Sequence, residues 1–204
     1  MMPMTLRSLT LVGAALALAA CTTVVTHYYT LMPPAVDRPV AVAPVGFQFE
    51  MQAVRMPVQV DQPQLVVRQS SGTLAILENE RWGGPLADEF HDALASQLEQ
   101  RLGTRDLAGM PKVAGKPILS LQTDVRRFDS LPGRYALVDV VWSLSMRGDG
   151  QPHRQLTCSS VLRKDSAAPI ADLVQAHQQL IGQLASSVAV TARAFAVNPA
   201  AGCP

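Results

Sequence analysis

Aromatic and charged residues are both scarce: Phe, Trp and Tyr make up 5% of the 204 residues, and Asp, Glu, Lys and Arg 16%. With 17 basic against 16 acidic side chains no strongly cationic face is available, which argues against a nucleic-acid partner. Only four histidines occur, His27, His91, His153 and His177, without metal-ligand spacing, and Cys-x-x-Cys and His-x-x-x-His are absent. No metal site and no cofactor is therefore expected. No Gly-x-Ser-x-Gly elbow and no Gly-rich phosphate loop is found, and Ser70-Ser71 and Ser159-Ser160 sit in turn and strand contexts. Glu78 and Glu80, beside Arg81, read as a solvated hairpin end rather than an acid/base pair. The chain offers no catalytic residue and is read as a non-enzyme.

The N-terminus carries what the rest lacks. An apolar run from Leu9 to Leu18 follows a short segment charged at Arg7. It has the length of a secretory signal core, about ten residues, where a membrane-spanning helix needs roughly 20. It ends in Leu18-Ala19-Ala20-Cys21, which resembles the bacterial lipobox, in which the cysteine is diacylated and becomes the mature N-terminus. Residues 1–20 are thus read as signal peptide, Cys21 as the lipid anchor and 21–27 as a tether. Two or three acyl chains hold a protein durably on a membrane. Thr22 stands where aspartate is the usual inner-membrane retention signal, so the resemblance implies the periplasmic side of the outer membrane.

Cleavage before Cys21 removes one of the 17 basic residues and no acid, leaving a formally neutral chain of a length that suits one domain. Cys158 and Cys203 are an even pair bound for an oxidising compartment. Either they form a disulfide that ties the tail to the body, or they are free thiols with Cys158 buried in a strand.

The fold is legible as alternating periods. His27 to Leu31 reads as a first strand, and Val40 to Val45 as an edge strand interrupted by Pro44. Val58 and Val60 alternate with polar neighbours before the Asp61-Gln62-Pro63 turn, and Leu65 to Arg68 with Thr73 to Leu77 reads as a hairpin. Pro85 opens an amphipathic helix bearing Leu86, Phe90, Leu94, Leu98 and Leu102, which Gly103 stops. After a loop to Lys116, Leu119 to Val125 alternates as a half-buried strand closed by Arg127-Phe128-Asp129. A second strand puts Ala136, Val138, Val140, Trp142, Leu144 and Met146 on one face, and a third carries Cys158 on that face, completing a meander. From Pro169 a helix of about 25 residues presents Leu173, His177, Leu180, Leu184, Val188 and Phe195. His91 and His177 are expected to face solvent or to be capped within the core.

The sum is an α+β two-layer sandwich, an antiparallel or mixed sheet with two long helices on one face. One domain spans 28–197, with a tail at 198–204. Trp82, Phe90, Trp142 and Phe195 read as core anchors, with a lipid-binding groove as the other use of the same rings.

Several stretches together resemble a known family. They are Tyr28-Tyr29-Thr30-Leu31, Asp61-Gln62-Pro63-Gln64-Leu65-Val66-Val67-Arg68, Arg81-Trp82 with Pro85-Leu86, Arg127-Phe128-Asp129, and Val140-Val141-Trp142. Behind a lipobox, this order is similar to that of the ABC-type transport auxiliary lipoproteins of the PqiC-like group, over nearly the whole mature chain. Gly83-Gly84 departs from the pattern between tryptophan and proline. The resemblance implies an outer-membrane-anchored subunit of a system moving lipids between membranes, with an MCE-domain protein and ABC transporter components as partners and a homo-oligomeric ring as assembly. It marks Tyr29, Leu31, Pro63, Arg68, Trp82, Pro85, Phe128 and Trp142 as motif residues that fix the fold. Two alternatives stand beside it: an assembly lipoprotein of an outer-membrane complex, and a lipid-handling hydrolase with an unrecognised triad.

Overall fold

The structure, a computed structural model, describes residues 24–34, 42–69, 72–148 and 150–204. The expected signal peptide and Cys21 lie outside the described residues, as do the first two residues of the Val40 to Val45 run. Among the described residues seven strands form two sheets rather than one. In the smaller sheet β4 (Leu74–Trp82) is central, paired in parallel with β1 (His27–Tyr29) and antiparallel with β3 (Gln64–Arg68). In the larger, β2 (Gln48–Met51) pairs in parallel with β5 (Ile118–Leu131), which continues into the antiparallel meander of β6 (Tyr135–Gly148) and β7 (Gln151–Asp165). The helices among the described residues are α1 (Leu86–Leu102) and α2 (Ile170–Val197). The architecture is an α+β sandwich of mixed sheets and two helices.

Binary patterning accounts for the meander and for α2. Along β6 the six residues from Ala136 to Met146 at every second position are buried, and the intervening ones are half-exposed. Leu173, Leu180, Ile181, Leu184 and Val188 of α2 are all at most 1% exposed, so this face closes the core against the sheet. The helix is long and apolar enough to cross a membrane, yet its apolar stripe is spent on the sheet, which makes it the core helix of a globular domain. Pro85 precedes α1, Asp88 and Glu89 occupy its first turn where the helix dipole favours acids, and Gly103 ends it at φ +65°. A Cβ at Gly103 would meet the Val42 carbonyl oxygen at 2.9 Å, so both the conformation and the crossing chain require glycine.

Three local expectations are corrected. The described part of the Val40 to Val45 run, residues 42–45, is not a strand; the strand is β2, just beyond it, with all four residues buried. Its polar members are satisfied by distant partners. Gln48 bonds the backbone of Val113 and Lys116, and Glu50 takes bonds from Ser120, Lys112 and Arg147. Val58 and Val60 belong to a turn in which Val60 N–H donates to Pro57 O, Val58 being exposed and Val60 buried. Finally, Arg127-Phe128-Asp129 does not close β5. A bulge between Val125 and Arg127 switches the parity, so that core positions Thr123 and Val125 are followed by Phe128 on the same face, and the strand runs to Leu131.

Cys158 and Cys203 are joined in a disulfide with their α-carbons 5.5 Å apart, across 45 residues of sequence. The link clamps the tail to β7, the edge strand of the larger sheet.

Candidate functional site

Most of the motif residues meet at the junction of the two sheets. Phe128, delivered to the core by the bulge, is the hub: Trp82 stands edge-on to it at 6.2 Å, Phe90 edge-on at 6.5 Å, and the His177 imidazole lies parallel to it at 4.0 Å. Beside this stack Arg68 donates to Asp129 at 3.1 Å, an ion pair that spans from β3 to β5 and so rivets one sheet to the other; Arg127 bonds the second carboxylate oxygen. Tyr29, Leu31, Pro63 and Pro85 hold the surrounding chain. Gly83 N–H donates to Tyr29 O at 2.7 Å, Trp82 N–H to Pro63 O at 2.8 Å, and Leu31 N–H to the Glu89 carboxylate of α1 at 2.9 Å. A Cβ at Gly83 would come within 3.1 Å of Glu89 Oε1, and α1 follows Pro85, which supplies no side-chain cap, while the Ala87 N–H of its first turn donates to Asp61 Oδ1 at 3.3 Å. Trp142 sits apart, opposite Cys158 in register, its indole N–H on Ser160 Oγ at 3.0 Å.

The strand leading from the proposed anchor is gripped from three sides. Its backbone pairs with β4, the Thr30 hydroxyl and Leu31 N–H bond Glu89 on α1, and the Gln178 amide on α2 donates to the carbonyls of Thr30 and Met32. Tyr29 is pushed up to about 12 by burial and by its hydrogen bond to Glu80. Burial would raise the Glu80 carboxyl, but bonds from Tyr29 and His27 outweigh it and hold it below the usual range. Glu80 lies within β4, half-buried against Tyr29 and His27, rather than at a solvated hairpin end.

Sequence reasoning placed Trp82 and Phe90 in the core and left His177 facing solvent or capped within the core, but did not pair His177 with Phe128 or with Ser130. His177 is 1% exposed and Ser130 4%, with Ser130 Oγ 2.9 Å from His177 Nε2. Burial lowers His177 to about 3, against the opposing pull of Asp129. A serine beside a histidine invites comparison with a nucleophile and its base, and the remaining geometry does not extend it. The Nδ1 atom has no partner among the described residues, and Asp129 is committed to Arg68 and Arg127 rather than to the imidazole. An imidazole so hard to protonate is a poor general base, and both side chains are buried. The arrangement is a joint between elements. His27, His91 and His153 bond Glu80, Asp92 and Ser145 respectively, and no group of three metal-binding side chains occurs among the described residues. Trp82, Phe90, Trp142 and Phe195 are at most 4% exposed, which makes them core anchors and not the walls of a groove.

A family model described as "ABC-type transport auxiliary lipoprotein component" matches residues 29–189, from β1 well into α2. Among solved structures, a Xanthomonas campestris protein shares the fold with a TM-score of 0.62 at 17% identity, over 84% of this chain and 97% of its own. An uncharacterized protein does so with a TM-score of 0.61 at 16% identity, over 81% and 97%. No curated protein matches the sequence.

Proposed function

We propose, on the premise that this chain belongs to the ABC-type transport auxiliary lipoprotein family, that it is a tethered docking subunit of an intermembrane lipid transport system. In this reading Cys21 carries the acyl anchor in the outer membrane, the domain from 28 to 197 hangs on the periplasmic side, and copies assemble as a ring that receives an MCE-domain protein served by an ABC transporter. The protein acts by position and not by catalysis.

The observation that carries the reading is where the motif residues go. Tyr29 pairs with Trp82 and Leu31 bonds Glu89, which fastens the strand nearest the tether, Pro63 accepts from Trp82 N–H and Pro85 opens the helix that carries Glu89, and Arg68 and Phe128 lock the two sheets beneath it. A tethered subunit needs its first ordered strand fastened to the body, because any pull on the partner passes through it. The buried Ser130–His177 pair supports the non-catalytic part, since a hydrolase would need that serine exposed.

The anchor is tested by Cys21→Ser expressed in native cells and followed by fractionation. The account expects the variant to leave the outer-membrane fraction, either free in the periplasm or held by an uncleaved signal at the inner membrane. Retention with the outer membrane at wild-type level counts against Cys21 as the anchor.

A further inference from the structure

Where α2 ends, a cleft of about 530 Å³ opens between the last turn of that helix, the β6–β7 hairpin and the chain entering β2. Its walls include Pro44, Phe47, Met146 and Val197, and among the described residues the charged side chains lining it are Arg154 and Arg193. Both guanidiniums are held by backbone carbonyls rather than by acids. Arg154 lies over the Phe195 ring at 5.1 Å and donates to Phe195 O at 3.0 Å and Ala196 O at 3.4 Å. Arg193 donates to Ala43 O at 3.0 Å and Arg101 O at 2.8 Å.

These bonds fix the two arginines in place without cancelling their charge. An arginine has five N–H donors, so each keeps capacity for a further acceptor, and among the described residues no carboxylate lines the cleft. Two ordered cations against an apolar wall fit a ligand with an anionic head and a hydrocarbon tail. Guanidiniums bind carboxylate and phosphate oxygens in paired hydrogen bonds, the wall takes methylenes out of water, and the volume falls within the usual range for small-molecule sites. We propose that this cleft binds a single-chain anionic amphiphile.

Its place in the fold sets it away from the tether. Gln178, which holds the residues following β1, and Phe195, beside the cleft, are separated by about 25 Å of α2 at 1.5 Å per residue. The site is therefore distinct from the anchor end, and it stands on geometry that does not depend on which partner the protein docks.

Gly46 offers a clean test, because it lines the cleft and a Cβ built there meets nothing within 4 Å. Gly46→Leu should fill the cleft while leaving the fold intact. The full lipidated chain is reconstituted in phosphatidylcholine nanodiscs and exposed either to a photoreactive long-chain fatty acid or to photoreactive lysophosphatidylglycerol, and labelled peptides are located by mass spectrometry. The proposal expects saturable labelling around Met146 and Val197, competed by the unlabelled amphiphile and not by the matching fatty alcohol. Labelling by the acid alone assigns a carboxylate head, and by the lysolipid alone a phosphate head. Gly46→Leu should reduce labelling at least roughly fivefold, and Arg154→Gln with Arg193→Gln should raise the half-saturating concentration at least about tenfold, as loss of charge-assisted bonds would. Labelling that does not saturate, that falls outside the cleft, or that Gly46→Leu leaves unchanged with its melting curve intact overturns it.

Discussion

Phe128 shows how much one position can carry. It touches Trp82, Phe90 and His177, each from a different element, so truncation there or at Trp82 opens a cavity where sheet and helices meet. Trp82→Ala should lower unfolding free energy by about 3 to 5 kcal/mol in urea titration, the range for large buried aromatics. A loss under 1 kcal/mol would mean that the ring is not the wedge described. His177 adds a pH dependence with a definite sign. Its pKa lies near 3 in the fold against 6.5 unfolded, so below pH 6.5 the unfolded chain binds the extra proton and stability falls as the pH drops. The loss should reach about 2 kcal/mol between pH 7.5 and pH 5, at up to 1.4 kcal/mol per unit. Glu50, whose pKa is held below the usual carboxylate range by Lys112, Ser120 and Arg147 despite its burial, enters only at lower pH. His177→Phe keeps a ring against Phe128 and should flatten the profile above pH 5; an unchanged slope would remove His177 as its source. Trp82, Phe128 and Arg68 were legible as motif residues. The pairing of Ser130 with His177 was not, because 47 residues separate them and no spacing rule joins a strand residue to one on a helix that far along.

At the scale of elements, the sequence was clear wherever one face is apolar and the other wet. β6 and α2 have that pattern over their whole length. β2 hides because Gln48 and Glu50 occupy buried positions whose partners come from the 112–120 segment and from Arg147, and a local pattern cannot anticipate them. β5 was cut short for a related reason: its bulge breaks the alternation at Arg127, and the two-residue period resumes on the other parity. Two element-scale predictions follow from geometry. Gly103→Ala must hold φ +65° and displace the chain at Val42 and Pro44, so it should cost at least about 1 kcal/mol, read as a lowered urea midpoint with an unchanged m-value. Cys203→Ser releases a link across 45 residues and should cost about 2 to 4 kcal/mol, seen as the difference between wild-type and variant melts under oxidising conditions. If the reduced wild-type protein melts with the oxidised one, the clamp contributes nothing to stability.

On the scale of the whole molecule, the N-terminal strand is fastened at one end of α2 and the arginine-lined cleft opens at the other. The fold class could be read from the succession of periods, though not its division into two sheets, since the parallel pairings of β1 with β4 and β2 with β5 join segments far apart in the chain. Nor could the cleft be read, being assembled from four segments that carry no motif. The central claim is that this domain is a docking subunit held at the outer membrane. Mild crosslinking of native cells, detergent extraction and identification of what copurifies tests it directly. The account predicts an MCE-domain protein in the eluate, lost when Cys21 is replaced by serine. Recovery of only a β-barrel protein, or of no partner under conditions that preserve other envelope complexes, would contradict it and assign the protein to outer-membrane assembly instead.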